Sequence, residues 1–499
     1  MAGQMHSGEV LRDVHGELRE LLAQVSALRD DLARESAALV EEWGGVGALG
    51  DFAHEARNLG DYLALRRRDL SPLQRRLATF GLSSLGRSEA KVGAALEALL
   101  GTLRRLNGES DAPYPAPQAM RAGEDALVAA SERIFGSKSG DPHTHIMATL
   151  PSEAAGDPAL AKRLIEAGMD CARINCAHDG ADAWARMIAN VKLAANEAGR
   201  ACPVLMDVAG PKCRIEKLRA APKYRAHVGD RLLLVVDLDA PRRGAVAIQP
   251  SFPELVDTLE IGAPLWINDG KIGAQVVAKA PGETEIEITC ARSKGHRLKP
   301  EKGLNFPSTD LKISPLTAKD LADLDFVAAQ ADLVGYSFVQ TPQDVERLQD
   351  ELAKRRRGRA PQPLVLKIET PLAVHNLPRL IVASARRHPT AVMIARGDLA
   401  VELGFARLSE IQEEMLWLCE AAHVPVIWAT QVLDQFVHEG VLNRAETTDA
   451  AMAQRAECVM LNKGPYLAEG VAFLRDILLR MDRHYAKKFA RFTQLKSWG

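Results

Sequence analysis

Lys367 and Glu369 close the apolar run Leu364-Val-Leu-Lys-Ile-Glu-Thr370, and Asp398 follows 29 residues after Glu369 in Met393-Ile-Ala-Arg-Gly-Asp-Leu399. Each run reads as a strand that ends abruptly in charge, and the interval has room for one helix and a return strand. Two carboxylates and a lysine at neighbouring strand ends could hold a divalent cation through oxygen beside a fixed positive charge. Such a set suits chemistry on a phosphorylated or carboxylated small molecule.

The same pattern of strand then polar tip recurs, and it names the elements that must position these groups. Tips fall at Thr149, Asn175, Asp207, Ser337, Lys367, Arg396, Thr430 and Asn462. Successive intervals are 26, 32, 130, 30, 29, 34 and 32 residues, with helical patterns such as Leu316 to Ala328 and Leu408 to Ala421 between them. This spacing predicts an α/β fold, a (β/α)8 TIM barrel with one oversized step. The surplus after Asp207 reads as an inserted all-β domain, with β-rich runs at Val228 to Val236, Pro264 to Val277 and Thr284 to Cys290 and a turn signal at Asp269-Gly270. Hung on a loop at the catalytic face, it is placed to act as a lid. The expected boundaries are 1–118 for a helical amino-terminal extension with its linker, 119–212 and 303–499 for the barrel, and 213–302 for the insert.

Leu11, Val14, Leu18, Leu21, Val25, Leu28 and Leu32 keep a spacing of three and four, which predicts an amphipathic helix with the seam of a short coiled coil. Further helices are expected over Asp51 to Arg68, Pro72 to Phe80 and Glu89 to Leu106, and Asn107 to Pro117 reads as a linker. The functional expectation for this region is homo-oligomerisation or regulation; the plainer one is a bundle that packs on the barrel. Arg66-Arg67-Arg68 reads as a solvated helix face.

Composition excludes several partners. With 63 basic and 65 acidic residues among 499, the net charge of −2 points to neither nucleic acid nor an anionic membrane. Seven cysteines without metal-ligand pairing suggest reduced thiols and a cytoplasmic setting. No apolar stretch approaches a membrane span, and Met1 to Gly8 is too polar for a secretory signal.

From His145 to about Leu478 the motifs resemble, in order, those of the pyruvate kinase family. They include Ala172-Arg-Ile-Asn-Cys-Ala-His178, Met206-Asp-Val-Ala-Gly-Pro211, Ile267-Asn-Asp-Gly270, Ser337-Phe-Val339, Leu366-Lys-Ile-Glu369, Ala395-Arg-Gly-Asp-Leu-Ala-Val-Glu402 and Ala429-Thr-Gln-Val-Leu433. The resemblance implies phosphoryl transfer from phosphoenolpyruvate to ADP, giving pyruvate and ATP. It implies Mg2+ or Mn2+ on Glu369 and Asp398, with Lys367, Arg173 and Ser337 at the transferring phosphoryl group. It also implies that Gly397, Asp398 and Thr430 receive the substrate carboxylate, with Thr430 on the path that protonates the enolate. Asn175, His178 and Arg214 would lie on the nucleotide side. Glu402, Arg444 and Glu446 read as supporting ion pairs, and Asp269 as a hairpin turn.

The departures carry their own expectations. Where the potassium-dependent pattern has two hydroxyl ligands and a glutamate, this chain has Ala177, Val208 and Lys212. The expectation is activity without K+, the Lys212 ammonium standing in for the monovalent cation. The first-strand turn Thr149-Leu-Pro-Ser152 lacks the family's glycine, Ala209 replaces a lysine, and Met460-Leu-Asn-Lys-Gly-Pro-Tyr466 replaces Ser-Gly-Glu-Thr, with Lys463 as a stand-in charge. The resemblance ends soon after Leu478, so the family's carboxyl-terminal allosteric domain is expected to be missing. Two alternative functions remain open on sequence. One is a metal-dependent aldolase or lyase of the pyruvate-binding barrels, suggested by Ile368 to Leu377 with Gly397-Asp-Leu399; the other is a weakly active sensor of phosphoenolpyruvate or nucleotide.

Overall fold

Eight short runs of apolar residues are buried on both faces, and in a computed structural model they pair side by side as parallel strands. The model describes residues 2–138, 142–239, 244–307, 309, 313–487, 489 and 490, and for residues 2–13, 489 and 490 it describes the backbone. The barrel strands are β1 (His145–Thr149), β2 (Cys171–Asn175), β3 (Val204–Val208), β4 (Leu333–Tyr336), β5 (Leu364–Ile368), β6 (Thr390–Ala395), β7 (Val426–Ala429) and β8 (Cys458–Leu461). They close in sequence order, β8 pairing with β1 through His145 and Cys458. All eight polar tips therefore gather at one end, as the intervals require.

Side chains alternate across each strand. Met147, Leu205, Val365, Met393, Ile427 and Met460 fill the barrel interior, while Ile146, Val204, Leu366 and Ile394 pack outward against the helices. Ile134 and Phe135 join the interior cluster. They end a helix, Ala122–Phe135, whose carboxyl end plugs the mouth opposite the tips. The sequence pattern did not reveal this helix, because its buried face is narrow: Leu127, Ser131, Ile134 and Phe135.

The insert folds on its own core of Ile215, Leu232, Leu234, Ile248, Leu265, Ile267, Val276 and Ile286. Its seven-stranded sheet runs in the order Leu304–Asn305, Pro264–Ile267, Ile272–Ala280, Glu283–Cys290, Arg231–Val235, Ala247–Pro250, Ile215–Arg219. The Asn268-Asp269-Gly270 turn has three residues of positive φ, the conformation that favours Asn, Asp and Gly there. The outgoing and returning chain pair with each other: Ile215 N donates to Lys302 O at 2.8 Å and Leu304 N to Cys213 O at 2.9 Å. The hinge is thus a short two-stranded ribbon.

The amino-terminal helices form a bundle whose core is continuous with the outer barrel layer. Helix α1 (Ala2–Glu42) buries Leu18, Leu21, Val25, Leu28 and Leu32 among α2 (Ala53–Arg66) and α3 (Val92–Leu106), so the expected coiled-coil seam is consumed within the chain. The side chain of Leu11 lies outside the described residues. Of the three consecutive arginines, Arg68 and Arg67 pair with Glu35, and Arg66 stacks 4.9 Å from the Trp417 ring. Arg66 and Arg67 remain exposed, as a solvated face requires, and only Arg68 is half-buried against its partner.

The bundle is fastened to the barrel by a buried amide. Asn58 Nδ2 donates to Glu89 O at 2.7 Å and Ala421 O at 2.8 Å, and Asn58 Oδ1 accepts from Val92 N at 2.9 Å. Removing that amide strands three buried backbone groups. Asn58→Ala should lower the free energy of unfolding by about 2–3 kcal/mol, read from the midpoint of urea denaturation; a change below about 0.5 kcal/mol would show that the junction carries little.

Candidate active site

Asp207, at the end of β3, is fully buried and gathers the cations of the strand-end face. Its Oδ2 lies 2.7 Å from Arg173 Nε, 2.6 Å from Arg173 Nη2 and 3.4 Å from Lys367 Nζ. Burial opposes its ionisation, yet the Arg173 and Lys367 charges prevail and hold the carboxyl below its ordinary range. A side chain at Gly335 would put Cβ 1.8 Å from Asp207 Oδ1, so the neighbouring strand must have glycine there. Arg173 Nη1 also donates to Thr149 Oγ1 at 2.9 Å. The arginine lies at the floor of the barrel mouth, braced on both sides.

Lys367 Nζ donates to Ser337 Oγ at 2.7 Å and stands 3.3 Å from Glu369 Oε1. Ser337 Oγ in turn donates to Val208 O at 2.7 Å. Glu369 Oε2 accepts from Phe338 N at 2.6 Å, where Phe338 holds a left-handed φ of 56°. Lys367, Ser337, Glu369 and Arg173 therefore form one buried cluster around Asp207.

Asp398 belongs to the first turn of the helix Arg396–Leu403 that follows β6. Lys212 Nζ lies 2.9 Å from its Oδ1 and 3.2 Å from its Oδ2, and 3.5 Å from Asp269 Oδ1 in the insert's hairpin turn. Asp269 is a turn residue, as expected, with one long, exposed contact to Lys212. Asn305 Nδ2, on the returning hinge strand, donates to Glu402 Oε1 at 2.9 Å and reaches Asp398 Oδ1 at 3.4 Å. Burial pushes the Glu369 carboxyl up, and the neighbouring Asp398 charge pushes the same way against Lys367 and Lys212. A carboxylate whose proton affinity is raised by burial and by a second carboxylate beside it marks a place where a divalent cation is favoured. Among the described residues no third His, Cys, Asp or Glu completes a protein-only cage. The arrangement suits Mg2+, which keeps water and substrate oxygens in its shell.

Thr430, just after β7, has φ 65° and is followed by Gln431 at 57° and Leu433 at 49°. A β-branched residue in that region is strained, and such strain clusters at functional sites. Its Oγ1 is buried without a partner, 3.6 Å from where a Cβ on Gly397 would stand. Arg396 holds this turn in place: Nη2 donates to Thr430 O at 2.7 Å, Nε to Ala429 O at 3.0 Å, and the guanidinium pairs with Asp449 and lies 4.6 Å from the Trp428 ring. In the sequence Arg396 is marked only as a strand tip. Its alternation of strand and charge was visible, but not its partners.

The residues expected on the nucleotide side are looser. Asn175 Oδ1 accepts from Ala177 N at 3.0 Å, and Arg214 Nη1 donates to Glu301 O at 3.1 Å on the hinge. Burial, then the charge of Lys463, holds the His178 imidazole below its usual range, so Lys463 lies on the same side of the mouth. Asn462, the β8 tip, donates toward Asp434 at 3.5 Å. Among the described residues Glu402 and Glu446 are engaged by the Asn305 amide and the Gln435 N–H, and neither has a cation within ion-pair distance, although the Lys212 charge acts on Glu402 from further away. The supporting ion pairs expected of them therefore take the form of hydrogen bonds.

A closed (β/α)8 barrel with an inserted β domain hinged at its strand-end face, where carboxylates and buried cations gather, defines the class of protein. Residues 141–471 match the family model "Pyruvate kinase, barrel domain", and the chain belongs to the pyruvate kinase family. It is 33% identical over 321 residues to the pyruvate kinase of Mycobacterium intracellulare, covering 64% of each chain. It is 32% identical over 353 residues to that of Agrobacterium vitis, covering 68% of this chain and 69% of the relative. For Geobacillus stearothermophilus the figures are 31% over 350 residues, 68% and 57%. The matched stretch thus spans roughly two thirds or less of most such relatives.

Glu402 offers a pH test. Burial raises its carboxyl to about 7, with Asn305 opposing and Asp398 reinforcing the rise. A carboxyl raised on folding binds its proton more tightly in the native state, so stability falls as pH climbs from about 4.5 to about 7. In metal-free buffer, Glu402→Gln should remove on the order of 2 kcal/mol of that decline. Urea titrations at several pH values read it; parallel wild-type and variant profiles would contradict the assignment.

Proposed function

We propose that the protein transfers the phosphoryl group of phosphoenolpyruvate to ADP. The observation that carries this reading is the buried cluster of Lys367, Arg173 and Ser337 beside the carboxylate pair Glu369 and Asp398. Transfer breaks the bond between phosphorus and the enol oxygen, forms one to a β-phosphate oxygen of ADP, and leaves an enolate that takes a proton at its methylene carbon. Lys367 Nζ, placed between Asp207 and Glu369, would neutralise the phosphoryl oxygens in transit, and Arg173 would hold them from the barrel floor. Gly397 and Asp398 N–H at the helix start, with the unpartnered Thr430 hydroxyl, would receive the carboxylate. Thr430 would also stand nearest the carbon that is protonated. A divalent cation on Glu369 and Asp398, when bound, polarises phosphoryl and carboxylate oxygens. Asn175, His178 and Arg214 would face the nucleotide beneath the insert. An aldolase would have little use for so large a lid over its mouth.

A coupled assay for pyruvate from phosphoenolpyruvate, ADP and Mg2+ tests this directly. Wild type should turn over, and Lys367→Met should lose about 10²–10³-fold in kcat while retaining its fold. Phosphoenolpyruvate binding by wild type without any product would favour a sensor instead.

We further propose that catalysis needs no K+. The Lys212 ammonium, 2.9 Å from Asp398 and within the field of Glu369, supplies positive charge where a monovalent cation would otherwise serve. Activity should persist when K+ is replaced by tetramethylammonium, and Lys212→Met should lower it in both media. Near-complete loss of wild-type activity without K+ would refute the idea.

A further inference from the structure

A cleft of about 480 Å³ lies at the end of the barrel opposite Lys367, between the helical bundle and the segments that lead into β5, β6 and β7. Its volume falls in the range of small-molecule sites. His423, at the carboxyl end of the helix Phe405–Ala421, is 4% exposed and holds a left-handed φ of 51°. Its Nε2 meets Ala90 O at 2.9 Å, and since a carbonyl can only accept, Nε2 carries the proton. Nδ1 is therefore a bare acceptor, and it is buried without a partner. Burial also keeps this imidazole neutral. Gly123 lets the helix Ala122–Phe135 approach closely, since a Cβ there would lie 2.5 Å from His423 Nε2.

A second acceptor is stranded in the same cleft. Glu55 Oε2, from α2, is buried and unpartnered. The cations on the wall are unequally engaged. Arg386 pairs with Glu346 at 2.5 Å and Arg387 with Asp350 at 3.0 Å, whereas Arg133 has no ion pair or hydrogen bond among the described residues. Two orphaned acceptors and one uncommitted guanidinium specify their complement: hydrogen-bond donors and an anionic group on one molecule.

We propose that this cleft binds a small organic anion bearing O–H or N–H donors, with Arg133 taking the anionic group and Glu55 Oε2 and His423 Nδ1 taking the donors. The occupant touches both bundle and barrel, so it stabilises their docking. Neither the catalytic residues nor the phosphotransfer reading enters this assignment.

Isothermal titration calorimetry on the full chain, with glycerol 3-phosphate, L-serine and inorganic phosphate as probes, tests it. At least one of the first two should bind and raise the thermal midpoint, and inorganic phosphate, lacking their carbon-borne O–H and N–H donors, should bind the cleft more weakly. Binding by L-serine alone identifies a zwitterion, and by glycerol 3-phosphate alone a phosphate ester. Arg133→Ala, at an exposed position where the fold should survive, should weaken binding about tenfold or more. Glu55→Gln should weaken L-serine more than glycerol 3-phosphate. Absence of binding by both donor-bearing probes at about 10 mM overturns the proposal. So does binding that Arg133→Ala leaves unchanged, which would place the probe at the strand-end face instead.

Discussion

The Asp207 carboxylate is the interaction on which the strand-end face depends. An arginine and a lysine taken into a barrel mouth each cost several kcal/mol in lost hydration unless paired. Asp207 Oδ2 faces both at once, while Glu369 provides a second counter-charge to Lys367. The four charges cancel, yet the pairing is uneven, since Asp207 Oδ1 has no partner and Lys367 also spends a hydrogen bond on Ser337. Such a cluster holds its cations in place without saturating them. An incoming dianionic group can be met by groups already oriented, which is where electrostatic preorganisation has its advantage.

That arrangement explains the backbone around it. Position 335 is barred from carrying a side chain by Asp207, and Phe338 and Thr430 hold left-handed conformations just after the fourth and seventh barrel strands. Each strained residue is fixed by a charged partner: Phe338 N by Glu369, and Thr430 O by Arg396. Arg396 is itself clamped between Asp449 and the Trp428 ring. The strain is local, and the packed barrel supplies the rigidity that sustains it.

Much of this was legible in the sequence because a barrel strand buried on both faces must be apolar until its last residue or two. The switch to Asn175, Asp207, Lys367 or Thr430 marks a strand end as clearly as a turn residue would. The insert was legible through its β-rich runs, although Ile215–Arg219 and Ala247–Pro250 escaped notice because each is short and half exposed or flanked by proline. What could not be read was pairing across the barrel. Arg173 and Asp207 are both plain in the chain, but only closure of the strands shows that the arginine is braced by the aspartate. The same holds for Asn58, an isolated polar residue in an amphipathic helix until its carbonyl partners arrive from another part of the chain.

Asp398 joins the lid to this rigid centre. The insert has a core of its own and is tied to the barrel by a two-stranded hinge, so it can move as a body. Both hinge strands touch Asp398, Lys212 from the outgoing side and Asn305 from the returning side, and Lys212 reaches Asp269 at the insert's turn as well. On the proposed reading, a cation on Asp398 would share its oxygens with that ammonium, so cation occupancy and the position of the insert would be linked through Lys212 and, more weakly, Asn305. With an uncharged residue at 212 the hinge would keep only the longer Asn305 contact to Asp398, and the charged link would be lost.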